Sequence, residues 1–321
     1  MPELPEVENL RLGLEKSILG QKILKVKVSK PKLVSGKGNT RIASIKKVKE
    51  FEQKLNGEIF KTIERRAKNL IFRMRSGKII LVHLKMSGQF VYQKKESGTE
   101  VFPSDKAVIA RGVRKNFSPT QLFIGGHPIE LSEKIIPNKH THIIFELDKG
   151  TLYYNDTRMF GYILYYPNKK EFEKENHFIS LGLEPFDKNF TSQYFQEALK
   201  TKKSKIKSAL MEQKIVTGLG NIYADESLFE AKIRPDRSAS SLKKQEVIRL
   251  YSAILRIMHR AIQIGGSSVA TYRLLDNTRG NYAREHKVYG KDGKLCINCK
   301  KSLTKTVVAG RTTIFCPNCQ K

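Results

Sequence analysis

Hydrophobic residues in the first half of the chain follow a helical period and then an alternating one. Val7, Leu10, Leu14 and Ile18 recur at spacings of three and four, which predicts a helix over Pro5–Leu19. The segments that follow are short, rich in β-branched residues and separated by turns that contain glycine. They predict a β-sandwich or barrel-like half with strands at Ile23–Val28, Ile59–Ile63, Leu70–Arg75, Lys78–His83, Gln89–Tyr92, His142–Leu147, Thr151–Asn155 and Gly161–Tyr165.

The pattern changes twice further along the chain. No clear period runs from about Lys94 to Lys139, and no element is predicted there. A polar stretch from Tyr166 to Asn189 is typical of an interdomain linker, and the period after it is helical. The predicted helices are Ser192–Lys200, Ile206–Met211, Asn221–Glu230 and Lys244–Ile264, the last stopped by Gly265–Gly266. A chain of 321 residues with this order of elements is expected to be an α+β protein of about two domains.

The charge of the chain narrows the class of partner. Lys and Arg number 60 against 31 Asp and Glu, a net charge of +29, which favours a polyanion such as nucleic acid. A generally lysine-rich proteome is the alternative explanation. The sequence has no apolar run of about 18 residues and no basic-then-apolar start, so we expect neither a membrane span nor a secretory signal. An intracellular protein is expected.

All four cysteines lie near the end of the chain, in two C-x2-C pairs: Cys296 with Cys299 and Cys316 with Cys319. Such pairs present thiolates at angles that fit tetrahedral zinc, and four of them leave no open coordination position. The spacing predicts one structural Zn²⁺ in a ribbon, ahead of an iron site or disulfides. The zinc then either supports an arginine that binds DNA or only stabilises a small module that would not fold alone.

The first residues offer possible chemistry. If Met1 is removed, Pro2 carries a secondary amine, and an α-amino group titrates far below a lysine, so part of it is nucleophilic near neutral pH. Glu3 stands beside it as a candidate general acid, and Glu6 lies one helical turn further. The alternative is ordinary: acids in a first helical turn are favoured by the helix dipole.

Several motifs occur in a fixed order: MPELPEVE at the start, RRAKNLIF at 65–72, HLKMSG at 83–88, NDTRMFG at 155–161, TGLGNIYADESLF at 217–229 and the four-cysteine ribbon. In this combination the chain resembles the formamidopyrimidine-DNA glycosylases along most of its length. The resemblance implies an N-terminal catalytic β-sandwich with a leading helix (1–166), a linker (167–190), a helix-two-turns-helix domain with a lesion-capping loop at about 265–284 (191–284), and a zinc ribbon (285–321).

The resemblance also implies roles for individual residues. Pro2 is expected to be the nucleophile, with Glu3, Glu6 and Lys68 as catalytic partners. Met86, Arg158 and Phe160 match side chains that fill the gap left by a flipped nucleotide. The remaining DNA-binding residues that it implies are His83, Lys207, Asn221 and Arg311. From spacing alone, Met86 and Phe160 would be core residues, His83 a strand residue, Asn221 a helix cap and Lys207 part of a solvated face.

The implied activity is removal of oxidised purines (8-oxoguanine and formamidopyrimidines) from duplex DNA, followed by β,δ-elimination at the abasic site. The start MPELPEV favours this branch over the oxidised-pyrimidine branch of endonuclease VIII, which remains the alternative. A retained Met1 would instead give a damage-binding protein without catalysis, and a general zinc-ribbon DNA-binding protein is a third possibility. A monomer acting on the nucleoid in a bacterial cytoplasm is expected, with no further cofactor.

The chain departs from the family pattern at a few points. Lys85 stands where a glycine is common and Thr157 where a proline is common, and the stretch from about 94 to 139 is longer than expected. That insert is basic, and we expect either an additional loop that contacts DNA or a partner, or a surface insertion without a role.

Overall fold

The computed structural model describes residues 1–37, 41–95, 122–126, 136–174, 176–267 and 280–321. The nine helices in these ranges are α1 (Leu4–Ile18), α2 (Ile45–Leu55), α3 (Lys169–Glu173), α4 (Asn176–Ile179), α5 (Ser192–Lys200), α6 (Ile206–Met211), α7 (Asn221–Glu230), α8 (Lys244–Gln263) and α9 (Tyr282–Glu285). The strands in the same ranges are β1 (Ile23–Val28), β2 (Phe60–Arg66), β3 (Asn69–Met74), β4 (Ile79–His83), β5 (Gly88–Lys94), β6 (Leu122–Gly126), β7 (Thr141–Leu147), β8 (Gly150–Asp156), β9 (Tyr162–Tyr166), β10 (Thr304–Val308) and β11 (Arg311–Phe315).

The N-terminal half is a β-sandwich. One antiparallel sheet has the order β1-β7-β8-β5-β6 and the other the order β2-β3-β4-β9. The core between them takes side chains from both sheets, among them Phe72 and Phe90, whose ring centroids are 5.8 Å apart. Helix α1 adds Leu10 and Leu14 to this core. The predicted sandwich with a leading helix is therefore confirmed.

Strand β6 was not expected from the sequence. It lies in the stretch for which no element was predicted and pairs with β5 along five residues, from Gln89↔Gly126 to Gln93↔Leu122. Most of that basic stretch, including the insert residues 96–121 and 127–135, lies outside the described residues, as do residues 268–279 of the expected capping loop.

The segment predicted as a linker contains two short helices, α3 and α4, and it packs on the sandwich. Phe172 of α3 lies in a buried cluster with Ile71 and Leu81 of the second sheet. The carboxylate of Glu184 receives two hydrogen bonds of 2.8 Å from Arg65, at the end of β2. These contacts explain why the segment is structured although its composition is polar. The limits of the domains remain a prediction.

Helices α5 to α8 surround a second core, and Leu4 from the start of α1 is part of it. The backbone N–H of Leu4 also donates to the carbonyl of Gly218 at 3.0 Å. The first turn of the chain thus belongs to the helical domain, while the rest of α1 belongs to the sandwich. In the part of the chain that the structure describes, no helix is both long and apolar enough to cross a membrane.

Candidate active site and DNA-binding surface

The start of α1 is fixed by two reciprocal hydrogen bonds. Glu3 is the N-cap residue, and the carboxylate of Glu6 accepts a 2.8 Å bond from the backbone N–H of Glu3 in a capping box. Pro5 occupies the first turn, where its missing N–H costs nothing. Pro2 is buried directly before this cap. The first turn therefore holds the residue that carries the candidate amine in a defined position.

The Glu3 carboxylate lies at the N-terminus of helix α7. It accepts hydrogen bonds from the backbone N–H groups of Gly220 at 2.6 Å and Ile222 at 3.0 Å. A Cβ on Gly220 would lie 2.5 Å from the Glu3 carboxyl carbon, so glycine is needed there. Burial raises the pKa of Glu3, while Lys68 and these N–H groups oppose the rise. The arrangement favours a carboxyl that holds its proton at higher pH than an exposed glutamate.

Glu6 connects the same turn to two further elements. Its Oε1 accepts a 2.5 Å bond from the Tyr223 hydroxyl and a 2.7 Å bond from the backbone N–H of Ser267. Burial raises the pKa of Tyr223 well above its usual value, with Glu6 adding to the rise. Tyr223 was not identified from the sequence, although it lies in the TGLGNIYADESLF motif. Glu6 thus ties α1, α7 and the residue before the expected capping loop together.

Lys68 reaches the same place from the β2–β3 turn, where Ala67 adopts a left-handed conformation with φ 55°. Its buried ammonium donates to the carbonyl of Leu219 at 2.6 Å. Burial lowers the pKa of Lys68, and the carboxylates of Glu3 and Glu6 oppose this. Burial also lowers the pKa of the amino terminus at Met1, on which Glu3, Glu6 and Lys68 all act. The structure therefore brings the predicted catalytic residues together around the chain terminus.

Met86, Arg158 and Phe160, here called the wedge cluster, lie together on the surface. The Arg158 guanidinium carbon is 4.6 Å from the centre of the Phe160 ring, and its Nη1 is 3.4 Å from the sulfur of Met86. Met86 is 46 % exposed and Phe160 44 % exposed, so neither is a core residue. The charge of Arg158 also contributes to lowering the pKa of the amino terminus at Met1.

The remaining predicted DNA contacts fall into different settings. Lys207 is fully buried: its Nζ lies 2.7 Å from Asp225 Oδ1 and donates to the Thr312 carbonyl at 2.9 Å. The solvated face considered for this lysine is therefore wrong. Asn221 is the first residue of α7, after Gly220 as the N-cap, and its amide donates to the same Thr312 carbonyl at 3.0 Å. Its own capping role, the simpler alternative, is not observed.

The other two residues, His83 and Arg311, lie at the ends of two strands. His83 is buried at the end of β4, and its Nδ1 accepts a 3.0 Å bond from the backbone N–H of Lys85. Arg311 is exposed at the start of β11, directly before the Thr312 carbonyl that binds Lys207 and Asn221. The charge of Arg311 contributes to lowering the pKa of both Lys68 and Lys207.

The four cysteines form one cluster at the base of the β10–β11 hairpin. All four sulfur atoms lie within 4.8 Å of one another. The Cys296–Cys319 distance of 3.9 Å and the Cys299–Cys316 distance of 3.5 Å are too long for disulfide bonds. Four thiolates at these separations match tetrahedral coordination of one Zn²⁺. The prediction of a structural zinc ribbon is confirmed, and the metal would hold the hairpin without taking part in the reaction.

Comparison with known proteins agrees with this geometry. The model of the formamidopyrimidine-DNA glycosylase N-terminal domain matches residues 1–163, and that of the H2TH domain of the same family matches residues 181–273. Formamidopyrimidine-DNA glycosylase of Bacillus cereus is 36 % identical over 321 residues, covering 100 % of this chain and 99 % of that protein. The protein of that name from Desulfitobacterium hafniense is 33 % identical over 320 residues, with 100 % of both chains covered.

Solved structures give the same result. A complex of Lactococcus lactis Fpg with DNA containing an abasic site superposes with a TM-score of 0.79 at 32 % identity, covering 99 % of each chain. A variant of that protein bound to DNA containing Fapy-dG gives 0.79 at 32 % identity over 100 % of each chain. The fold and the site define a DNA-repair glycosylase with abasic-site lyase activity. The chain belongs to the formamidopyrimidine-DNA glycosylase family, and removal of oxidised purines from DNA is its activity.

Proposed function

We propose that the reaction begins when Met1 has been removed and the secondary amine of Pro2 attacks C1′ of the damaged nucleotide. The bond from C1′ to the base breaks and its electron pair leaves with the base, which takes up the proton that the amine releases. Glu3 then gives a proton to the ring oxygen as the bond from C1′ to that oxygen breaks, which leaves the open sugar bound to Pro2 as an iminium ion. Loss of a C2′ proton then expels the 3′ phosphate, and a second elimination expels the 5′ phosphate. Water releases the sugar fragment from Pro2.

The observation that carries this proposal is the convergence on the chain terminus of a buried carboxyl, Glu3, with a raised pKa and a buried ammonium, Lys68, with a lowered one. A carboxyl that keeps its proton close to the buried start of the chain can protonate the ring oxygen of the sugar after the amine of Pro2 has attacked C1′. Glu6 accepts a hydrogen bond from the backbone N–H of Glu3, and the hydroxyl of Tyr223 holds Glu6 in place through a 2.5 Å hydrogen bond.

We propose that the wedge cluster enters the duplex when the damaged nucleotide leaves the stack, since its exposed apolar side chains, Met86 and Phe160, are of the kind that fill such a gap. Asn221, at the N-terminus of α7, is proposed to bind backbone phosphate, as are Arg311 and His83. Lys207 has no exposed surface. Its contribution is therefore proposed to be indirect, through the position of the hairpin that carries Arg311.

The preference for purine lesions over pyrimidine lesions within this activity is also a proposal, based on the MPELPEV start. One Lactococcus lactis structure similar to this chain contains DNA with an oxidised pyrimidine, so both lesion classes belong in a competition experiment. We further propose that the protein acts as a monomer in the bacterial cytoplasm. Its net charge of +29 supports duplex DNA, a polyanion, as the partner.

The test is reductive trapping. The intact mass of the purified protein establishes loss of Met1, and the protein is incubated with borohydride and a duplex containing 8-oxoguanine opposite cytosine. A covalent adduct is expected, and a chain with a few uncleaved residues before Pro2 should give none, because its proline nitrogen is an amide. If mature protein forms no adduct with the lesion duplex or with an abasic-site duplex, the protein binds damage without cutting it and the proposal is wrong. Adduct formation with the extended chain would assign the nucleophile elsewhere.

A further inference from the structure

The two apolar members of the wedge cluster come from different loops. Met86 lies between β4 and β5, and Phe160 lies in the turn Asp156–Gly161 between β8 and β9, here called the wedge turn. Each of them directly follows a non-glycine residue in the left-handed conformation: Lys85 has φ 53° and Met159 has φ 53°. Such a conformation is unfavourable for a residue with a side chain and persists where surrounding contacts enforce it. Other contacts must therefore hold the backbone in the conformation that places Met86 and Phe160 on the surface.

The carboxylate of Asp156 is one such source. It is fully buried, and its Oδ1 accepts bonds from the backbone N–H groups of Arg158 at 3.2 Å and Met159 at 3.0 Å, while Oδ2 accepts from Gly161 at 2.8 Å. The same Oδ1 accepts a 2.5 Å bond from the hydroxyl of Ser87, the residue after Met86. One side chain thus holds the wedge turn and connects it to the loop that carries Met86.

Arg41 holds the other side of the wedge turn. Its Nη1 donates to the carbonyl of Gly161 at 2.5 Å and its Nη2 to the carbonyl of Met159 at 3.1 Å, so the guanidinium bridges the two residues that flank Phe160. The planar guanidinium presents its donors in a fixed fork, and here two of its nitrogens each bond one carbonyl. Gly161 itself cannot carry a Cβ, which would collide with the Tyr154 hydroxyl.

We propose that Asp156 and Arg41 are positioning residues, which order Met86 and Phe160 in their inserting arrangement before DNA is bound. Two exposed side chains on separate loops would otherwise lose conformational freedom on entering the duplex, and that loss opposes insertion. With both loops bonded to one buried carboxylate, the ordering has already occurred in the free protein. The inference rests on the proposed role of the wedge cluster in base extrusion.

The test separates base extrusion from the chemistry that follows. Asp156→Asn and Arg41→Lys are compared with wild type for single-turnover excision of 8-oxoguanine from duplex DNA, and for borohydride trapping on an abasic site in a single strand, which needs no extrusion. Excision is expected to fall at least about tenfold in Asp156→Asn, since misplacement by about 1 Å can cost up to about 100-fold. Trapping is expected to stay within about twofold of wild type in both variants.

Arg41→Lys keeps the charge and removes the planar fork whose two nitrogens bond the two carbonyls. A fall in excision with an unchanged salt dependence of DNA binding would therefore support positioning over a phosphate contact. Asp148→Asn, an exposed loop carboxylate that accepts one 3.1 Å bond from Lys22, is the matched control and should excise like wild type. If Asp156→Asn does not fold, Ser87→Ala removes only the connection between the two loops and should show the same selective loss.

Excision by all three variants within about twofold of wild type would overturn the inference, as would an equal fall in excision and trapping, which indicates general disruption. Failure of the proposed function looks different, because wild type itself would then neither excise nor trap.

Discussion

The substitution Lys207→Met tests whether the buried ion pair behind the zinc hairpin positions the DNA-binding surface. The Lys207 ammonium lies 2.7 Å from Asp225 and donates to the Thr312 carbonyl and the Thr313 hydroxyl at 2.9 and 2.8 Å. Asp225 in turn accepts a 3.3 Å bond from the N–H of Ile314. Removing one partner leaves a buried carboxylate without its counter-charge, which typically costs about 3–5 kcal/mol.

That cost should appear as local opening of the hairpin. At about 1.4 kcal/mol per factor of ten, the N–H of Ile314 is expected to exchange with deuterium at least about 100-fold faster in Lys207→Met than in wild type. Lys200→Met is the matched control, since the side chain of Lys200 is 70 % exposed and its ammonium lies 3.6 Å from Glu197. An exposed pair of this kind is worth at most about 1 kcal/mol, and the hairpin should not respond to it.

The cost of Lys207→Met should also depend on pH, and the direction of that dependence can be derived. Burial raises the pKa of Asp225 to about 7, and Lys207 is the group that most opposes this rise. Without the lysine the pKa rises further. A carboxyl whose pKa is higher in the folded state loses stability as pH increases through that value, so the cost of Lys207→Met should be larger at about pH 8.5 than at about pH 6. Exchange at Ile314 within about threefold of wild type at both pH values would refute the reasoning.

Three further predictions concern the reaction and the metal. Because burial raises the pKa of Glu3, single-turnover base excision should fall as pH rises through that pKa, while cleavage of a preformed abasic site should not fall; parallel profiles would contradict the assigned acid. Gly220→Ala places a Cβ 2.5 Å from the Glu3 carboxyl carbon and should lower excision by about 100-fold, whereas Gly57→Ala, with open space around it but φ +84°, should cost only stability. Cys299→Ser should lower zinc content and weaken binding to abasic-site DNA while the far-ultraviolet spectrum of the sandwich persists; unchanged affinity would show that the ribbon only stabilises its own module.

The parts of the fold that the sequence predicts are those in which local pattern and burial agree. Helix α1 and the strands of the sandwich follow their hydrophobic periods, and the C-x2-C spacing is sufficient for the metal site. Strand β6 was missed because it depends on pairing with β5, which no local period reports. The helices of the linker were missed because this segment is stabilised by contacts with the sandwich, which is distant in sequence: Phe172 of α3 packs against it, and Glu184, after α4, binds Arg65.

In the candidate site, too, some residues can be predicted from their type, whereas others depend on tertiary contacts that the sequence does not reveal. Lys207 lies in the lysine-dense stretch KTKKSKIK, and nothing in that stretch distinguishes the lysine that Asp225 binds from its solvated neighbours. Asp156 and Arg41 were not identified at all, because their importance lies in which backbone groups they bond. Residue types with intrinsic chemistry were found from the sequence; residues that orient them require the folded chain.

The position of the proposed nucleophile explains why this site lies between two domains. A chain terminus normally frays, since few contacts order it. Here Leu4 is buried in the helical core, Glu3 binds the N-terminus of α7, and Glu6 binds both Tyr223 and Ser267. The same three residues therefore close the domain interface and fix the terminus, so neither domain alone would present an ordered amine. A substitution that loosens the interface should lower the reaction rate even where it touches neither DNA nor the amine.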